Sequence, residues 1–473
     1  MKFNAKKVGL LLGPFLFSVL YFLPGITSLE DAPRAVLGVT AWVATWWITE
    51  ALPIPATSLL PIFLLPLTGG ADQATATTAY GNPIVFMYMG GFTIAIAIEK
   101  WNLHRRIAMT IISILGTSSN RIILGVGLAT AFLSMWISNA ATALMMLPIA
   151  IALITEIREK GFFDDDSMQN FSKGLLLMVA YSASIGGLAT IVGSVPNAAF
   201  VAIASTMLEQ TVTFSDWFLF GIVITIVLMV VLYVYITKIK FKVKQSGEIS
   251  SDFARQQLKE LGPMSVEEKL VLTVFIAIGS LWIFGGFLPF ELSDTTISIF
   301  GATLLFMIPS TKGGRLLDWI DMKHLSWGLL LLFGGGLSLA AAFESSGLTT
   351  WFGDILSNLD QFNYFVILII LTTTILFMTE IMSNTAVSNM LMPISVGLAA
   401  GIGVAPYGIM AVVALASSCA FMLPISTPPN AAVFSTNEIK IEDMMKAGFW
   451  MNVVSIVVIV LAVYFLQPIL LNF

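Results

Sequence analysis

Apolar runs recur from one end of the chain to the other, and many have the 17 to 25 residues, roughly, that carry a helix across the hydrocarbon of a bilayer. The pattern predicts full spans near residues 8–24, 35–50, 53–68, 83–99, 172–205, 216–237, 268–287, 293–309, 327–343, 407–433 and 445–470, eleven in all. Two further stretches, 121–155 and 363–400, are too long for one helix and too short for two spans with an ordinary loop. Each has a polar tripeptide at its middle, Ser138-Asn139-Ala140 in one and Ser383-Asn384-Thr385 in the other. Each is read as a re-entrant hairpin that enters the membrane, turns, and leaves by the same face, since irregular backbone at that depth must be buried in protein or line a cavity. The one substantial hydrophilic segment, 245–268, divides the chain near its middle.

The two halves repeat. A constant shift of 245 residues takes Gly90-Gly91-Phe92 to Gly335-Gly336-Leu337, Glu99 to Glu344, Ser138-Asn139 to Ser383-Asn384, and Pro148 to Pro393. After a shortened connection, Gly193-Ser194-Val195-Pro196-Asn197-Ala198-Ala199 matches Ser426-Thr427-Pro428-Pro429-Asn430-Ala431-Ala432. The first Gly-Gly helix is followed by the basic run Lys100 to Arg106, whereas Glu344 to Asp360 after the second contains no Lys or Arg. Opposite flanking charge implies that the copies are inverted across the membrane, an architecture that places a transporter's site where the copies meet.

Composition agrees with a chain in lipid: 57% of its 473 residues are hydrophobic and only 11% charged. The net charge of −5 matters less than where the cations fall. With a cytoplasmic N-terminus, every Lys and Arg except Arg34 lies inside, in clusters such as Lys100, Arg105 and Arg106, then Lys238 to Lys244, then Lys312, Arg315 and Lys323. Met1 to Lys7 and the apolar run after it look like a signal peptide; because no small-residue cleavage site follows Leu23-Pro24-Gly25, they are read as an uncleaved first span. The single cysteine, Cys419, excludes an internal disulfide and a cysteine metal cluster. His104 and His324 sit beside charged loop residues, unsuited to a histidine-centred site.

The chemistry is expected at the breaks. Ala141 and Ala386 are read as the starts of the hairpins' return helices, whose N-termini offer free N–H groups and a positive dipole end to an anion. Ser138, Asn139, Ser383, Asn384 and Thr385 add side-chain donors. The Pro-containing breaks at 194–197 and 427–430 are expected to free carbonyls suited to a hard cation such as sodium. Small polar breaks can also be kinks or helix contacts, but two pairs in register across an inverted repeat favour a shared site. No Lys or Arg lies near the four motifs, so co-bound cations would offset the cost of a buried dianion. Glu380 is read either as a local cap or as a protonatable coupling group, and Glu50, Glu99 and Glu344 as interfacial. The Gly and Met residues, such as Gly334 to Gly336 and Met145-Met146, read as close contacts and core.

At these motifs the sequence resembles the divalent anion/sodium symporter family, carriers of succinate, malate, fumarate, 2-oxoglutarate, citrate or sulfate, and the resemblance covers nearly the whole chain. It implies an all-α polytopic membrane protein with elevator-type scaffold and transport domains, a homodimer joined through scaffolds, and a multi-pass place in the cell (inner) membrane. The implied organisation is N-terminal scaffold helices over 1–82, a first repeat over 83–237, a cytoplasmic linker over 238–267, scaffold helices over 268–326 and a second repeat over 327–473. Each repeat holds a scaffold helix, a hairpin (121–155 or 363–400), a broken helix (172–205 or 407–433) and a closing helix. Carried over residue by residue, one sodium position uses Ser134, Ser138, Asn139 and Gly193, and the other Thr379, Met382, Asn384 and Ser426. A small carboxylate would meet Ser138, Asn139, Ala140, Val195, Ser383, Asn384, Thr385 and the Thr427-Pro428 break. Two positions depart from the family's pattern: Ala140 lacks the usual tip hydroxyl, and the first break reads Gly-Ser-Val-Pro-Asn where Thr-Pro-Pro is commoner. Sodium symport and dicarboxylate exchange both stay open.

Other classes fit less well. An anion channel with the same cavity would lack saturation and counterflow. An intramembrane enzyme would need a nucleophile or an acid/base pair, and no intramembrane His or Asp pair is offered. A receptor or scaffold leaves the repeated polar breaks unexplained. Nothing points to nucleic acid.

Overall fold

A computed structural model describes residues 5–23, 29–115, 118–243, 252–285 and 292–471. Pro24-Gly25, residues 245–251 of the linker and residues 286–287 of an expected span lie outside them. The described chain is helical. It begins with α1 (Ala5–Phe22), α2 (Asp31–Thr49), three short helices α3 (Ile54–Thr57), α4 (Leu60–Thr68) and α5 (Gln73–Thr78), and α6 (Pro83–Lys100). The first repeat continues with α7 (Leu103–Leu115), α8 (Ser119–Ser134), α9 (Asn139–Lys160), α10 (Asp165–Gly186), α11 (Val195–Met207) and α12 (Phe214–Val234). After α13 (Asp252–Glu260) come α14 (Val266–Phe284) and α15 (Asp294–Met307). The second repeat is α16 (Trp327–Ser346), α17 (Leu348–Leu356), α18 (Tyr364–Thr379), α19 (Asn384–Gly401), α20 (Pro406–Ser418), α21 (Pro428–Phe434), α22 (Ile441–Leu461) and α23 (Gln467–Leu470).

Polar caps set where the apolar helices begin. Capping boxes close the starts of α12 (Thr213 with Asp216) and α14 (Ser265 with Glu268), and the Asp164 carboxylate accepts the Ser167 N–H at the start of α10. The 245-residue shift seen in the sequence holds for the helix bounds: it takes Ser119–Ser134 onto Tyr364–Thr379 and the start of α9 onto the start of α19. The π-helical turns Tyr235–Lys240 and Ala462–Leu466 end the two closing helices.

By length and composition, seven helical stretches of the described residues can cross a membrane, fewer than the eleven spans expected. Proline and charge account for much of the difference. Pro53, Pro55 and Pro61 divide the 53–68 stretch into α3 and α4, while Glu267, Glu268 and Lys269 put three charges into the first turns of α14. The 293–309 span has only the 14 helical residues of α15. The return arm α9, expected to stop at 155, runs 22 residues to Lys160 and is itself long enough to cross. The polar start of the 363–400 stretch follows a bend of 120° between Leu348–Gln361 and Tyr364–Thr379. Glu50, Glu99 and Glu344 are exposed at helix ends, as expected.

The repeats exchange partners. The helix after each break packs on the return arm of the other half: α11 lies on α19 and α21 lies on α9. The broken helices do the same, α10 meeting α21 and α20 meeting α11. Outside this centre, α6 is clasped by α14 and α15, and α16 by α2, α3, α4 and α5. The Gly-Gly pairs allow these approaches. A Cβ on Gly90 would meet the Ser298 backbone at 2.7 Å, and one on Gly335 the Ser58 carbonyl at 2.5 Å. Gly91 faces Val192 in the first break, and Gly336 faces Asn389 on α19. Each pair therefore touches the outer helices with one residue and the inner elements with the next.

Candidate functional site

The hairpin tips are the short turns before α9 and α19. Ser138 and Ser383 hold extended backbone at the N-cap positions, so the return helices begin at Asn139 and Asn384. That corrects the expected starts at Ala141 and Ala386, which fall inside the first turns. The first backbone bonds run from Thr142 N–H to the Ser138 carbonyl and from Val387 N–H to the Ser383 carbonyl. The three preceding N–H groups of each helix therefore point out of its end. Ser138 Oγ accepts the Ala141 N–H at 3.4 Å, but the Ser383 side chain makes no such cap bond and its hydroxyl stays available.

Behind each tip sits the same knot of oxygens. In the first half Ser134 Oγ lies 2.7 Å from Asn139 Oδ1 and 2.6 Å from the Ala183 carbonyl. In the second, Thr379 Oγ1 lies 2.7 Å from Asn384 Oδ1 and 3.0 Å from the Ser417 carbonyl. A hydroxyl has one proton to donate and faces two acceptors in both places. The same Asn139 terminal atom is also 3.1 Å from the Gly193 carbonyl. As oxygen it faces three other oxygens; rotated, the amide nitrogen donates to all three. Rotation or a cation among the oxygens would resolve the crowding.

The breaks are longer than their prolines. In the first half, α10 ends at Gly186 and α11 starts at Val195; in the second, α20 ends at Ser418 and α21 starts at Pro428. Proline was expected to disrupt a helix interior, but Pro196, Pro428 and Pro429 occupy the first turns of α11 and α21, where no N–H is missed. Asparagine staples each break. Asn197 Nδ2 donates to the carbonyls of Gly187 (2.9 Å), Leu188 (3.4 Å) and Thr190 (2.8 Å). Asn430 Nδ2 donates to the carbonyls of Ala420 (3.2 Å) and Leu423 (3.1 Å) and to Ser426 Oγ (3.1 Å). Several carbonyls expected to be free are thus occupied. The two breaks touch directly, Ser194 Oγ lying 2.9 Å from Ser418 Oγ.

The sequence motifs match a known family over residues 4–472, the sodium:sulfate symporter transmembrane region. The chain belongs to that family. A relative named sodium-dependent dicarboxylate transporter SdcS, from Staphylococcus saprophyticus, is 44% identical over 98% of this symporter-family chain and 92% of its own. A relative of the same name from Staphylococcus aureus is 42% identical over 99% and 92%. Two solved transporters share the fold. The Alcanivorax borkumensis YdaH transporter superposes with a TM-score of 0.61 at 14% identity, covering 98% of this chain and 99% of that one. Neisseria gonorrhoeae MtrF superposes at 0.57 with 11% identity, over 96% and 98%.

In this family member, then, the geometry groups Ser134, Asn139 and Gly193 around one oxygen knot and Thr379 with Asn384 around the other. Ser426 joins the Asn430 staple, giving its own hydroxyl to the Leu423 carbonyl. Met382 lies in the second turn, half-buried; Ala140, Val195 and Thr385 are half-buried, Thr427 is buried and Pro428 exposed. Ile381 and Ile425, beside the second tip and the second break, are 74% and 78% exposed, uncovered by the rest of this chain. The staples Asn197 and Asn430 were not singled out by sequence reasoning, though both stand at matching positions of the repeated Pro-Asn-Ala-Ala run. Glu380 is not the local cap expected: its buried carboxylate reaches out of the hairpin to accept the backbone N–H groups of Phe421, Met422 and Leu423 and the Asn452 amide.

Proposed function

We propose that this protein carries dicarboxylates of the succinate, malate, fumarate and 2-oxoglutarate class across the cell membrane, coupled to sodium. The observation that carries the reading is the doubled hydroxyl–amide–carbonyl knot, one at each tip, in a chain 42–44% identical to relatives named sodium-dependent dicarboxylate transporters. Hard neutral oxygens suit sodium, and sodium bound beside the tips would replace the missing Lys and Arg as counter-charge for a dianion. Ser134, Asn139 and Gly193 would hold one ion, and Thr379, Asn384 and the Ser426 region the other, with Ser138 and Met382 at the turns. The substrate's carboxylates would lie against the open helix ends of α9 and α19, near Ser138, Ala140, Ser383, Thr385, Val195 and Thr427-Pro428.

Movement follows an elevator in this reading. The hairpins and breaks form one interlocked body through the exchanged pairs α11 with α19 and α21 with α9, and the outer helices around α6 and α16 form the scaffold through which two copies would associate. The Lys and Arg distribution supports a cytoplasmic N-terminus.

The deciding experiment is labelled succinate uptake into proteoliposomes. An inward sodium gradient is expected to drive accumulation that saturates with succinate. Uptake that ignores sodium but requires unlabelled dicarboxylate inside would assign exchange instead, and competition by sulfate or citrate stronger than by malate would reassign the substrate. At the first tip, Ala140→Thr restores a hydroxyl like that of Thr385. One added hydrogen bond is worth about 0.5–1.5 kcal/mol net, so KM for one dicarboxylate should change several-fold relative to another. Unaltered KM values for four- and five-carbon acids would remove position 140 from the pocket.

A further inference from the structure

We infer that Glu380 is a positioning residue for the second cation position, acting through the backbone of the break between α20 and α21. The inference rests on the sodium-coupled reading above. Glu380 ends the outgoing arm α18 and is 3% exposed. Its Oε1 accepts the N–H groups of Phe421 (2.8 Å) and Met422 (2.9 Å) and the Asn452 amide (2.7 Å), and its Oε2 accepts the Leu423 N–H (3.1 Å). Three successive peptide groups of a segment without helical bonds are thus gathered onto one side chain. The Leu423 carbonyl at the end of that segment accepts the Ser426 hydroxyl (2.7 Å) and the Asn430 amide (3.1 Å). On the other side of Glu380 in the chain, Thr379 belongs to the Asn384 oxygen knot. The carboxylate therefore ties the hairpin tip to the break in which Ser426 sits.

The first half does the same task with neutral groups. The 245-residue shift takes Glu380 to Met135. There the Met135 carbonyl accepts the Thr190 hydroxyl, and Thr190 Oγ1 accepts the Gly193 N–H at 3.0 Å. A hydroxyl link stands where the second half has a carboxylate with four donors. Charge-assisted bonds are the stronger kind, so the second break is the more firmly held and the more dependent on one side chain.

The test compares wild type, Glu380→Gln, Glu380→Asp and Asn452→Ala, purified and in proteoliposomes. Three quantities are read: the sodium concentration giving half-maximal succinate uptake, the sodium-induced rise in Tm, and KM for succinate at saturating sodium. Losing a partner that orients an ion's ligands costs about 10- to 100-fold in affinity. Glu380→Gln should shift the sodium curve by that much and blunt the Tm response while leaving KM for succinate at saturating sodium nearly unchanged. Glu380→Asp should recover part of the sodium affinity, and Asn452→Ala should shift the curve in the same direction but less. A folded Glu380→Gln protein with the wild-type sodium curve would overturn the inference. So would an unfolded Glu380→Gln beside an Asn452→Ala protein with unchanged sodium dependence, which would leave Glu380 a folding role alone. A wild type indifferent to sodium would sink the underlying reading together with this one.

Discussion

Asn139→Ala and Asn384→Ala should each abolish sodium-driven dicarboxylate uptake in protein that still purifies as a folded species. Each amide stands at the first position of a return helix and reaches back to the hydroxyl of the outgoing arm, Ser134 in one half and Thr379 in the other. Alanine keeps the helix start, because the N-cap serines and the backbone bonds of Thr142 and Val387 remain. What goes is the group that closes the oxygen knot and, in the proposed mechanism, lies between ion and substrate. Removing one member of a buried polar site leaves its partners unsatisfied at a cost of about 1–3 kcal/mol, more where a partner is charged, and because ion and substrate both lose by it, uptake falls to the limit of detection. The measurements are labelled succinate uptake under a sodium gradient and Tm of the purified variants. Wild-type uptake in either variant would remove that tip from the site, whereas lost uptake with a collapsed Tm would make the amide a folding element.

Much of this architecture could be read from the residues. The 245-residue shift placed α18 and α19 on α8 and α9, because a repeat preserves both the hydrophobic pattern and the tip polarity that helix ends in lipid require. The span count was less legible. Pattern alone does not tell an apolar helix that crosses from one cut short by Pro53, Pro55 and Pro61, or from the return arm α9, which is as long as a spanning helix. The role of the prolines was also misread: in a linear sequence Pro428-Pro429 signals a break, but only the fold shows that they start α21 after a break whose shape is held by Asn430 and Glu380. Such long-range bonds, 41 to 43 residues apart for Glu380, leave no local trace in spacing. The exchange of partners between the halves was legible only as a meeting of repeats, since which helix lies on which is a property of tertiary contact.

Gly193→Ala should be nearly as severe, and for a different reason. A Cβ at Gly193 would lie 2.7 Å from the Gly187 carbonyl, 2.9 Å from Gly187 Cα and 3.0 Å from the Ser134 carbonyl, all of them backbone atoms. A Cβ at Gly187 would in turn meet Asn139 Oδ1 at 2.4 Å and the Gly193 carbonyl at 2.9 Å. The two glycines and the tip asparagine are therefore mutually fitted, and the Gly187 carbonyl cannot retreat without breaking its 2.9 Å bond from Asn197. Overpacking of such a contact costs about 1–3 kcal/mol in stability, which the fold tolerates. The oxygen knot does not, because the methyl displaces the Gly193 carbonyl that faces Asn139, and a ligand misplaced by about 1 Å costs on the order of 100-fold. The second half provides the control. Its equivalent residue is Ser426, which already carries a Cβ and whose hydroxyl spends itself on the Leu423 carbonyl, so Ser426→Ala leaves the backbone of that break in place. Sodium-driven uptake should therefore fall on the order of 100-fold in Gly193→Ala and only about tenfold in Ser426→Ala, where the hydroxyl's two hydrogen bonds, to the Leu423 carbonyl and from the Asn430 amide, are at stake. Equal losses in the two variants would mean that the fit of Gly187, Gly193 and Asn139 is not what shapes the first half of the site.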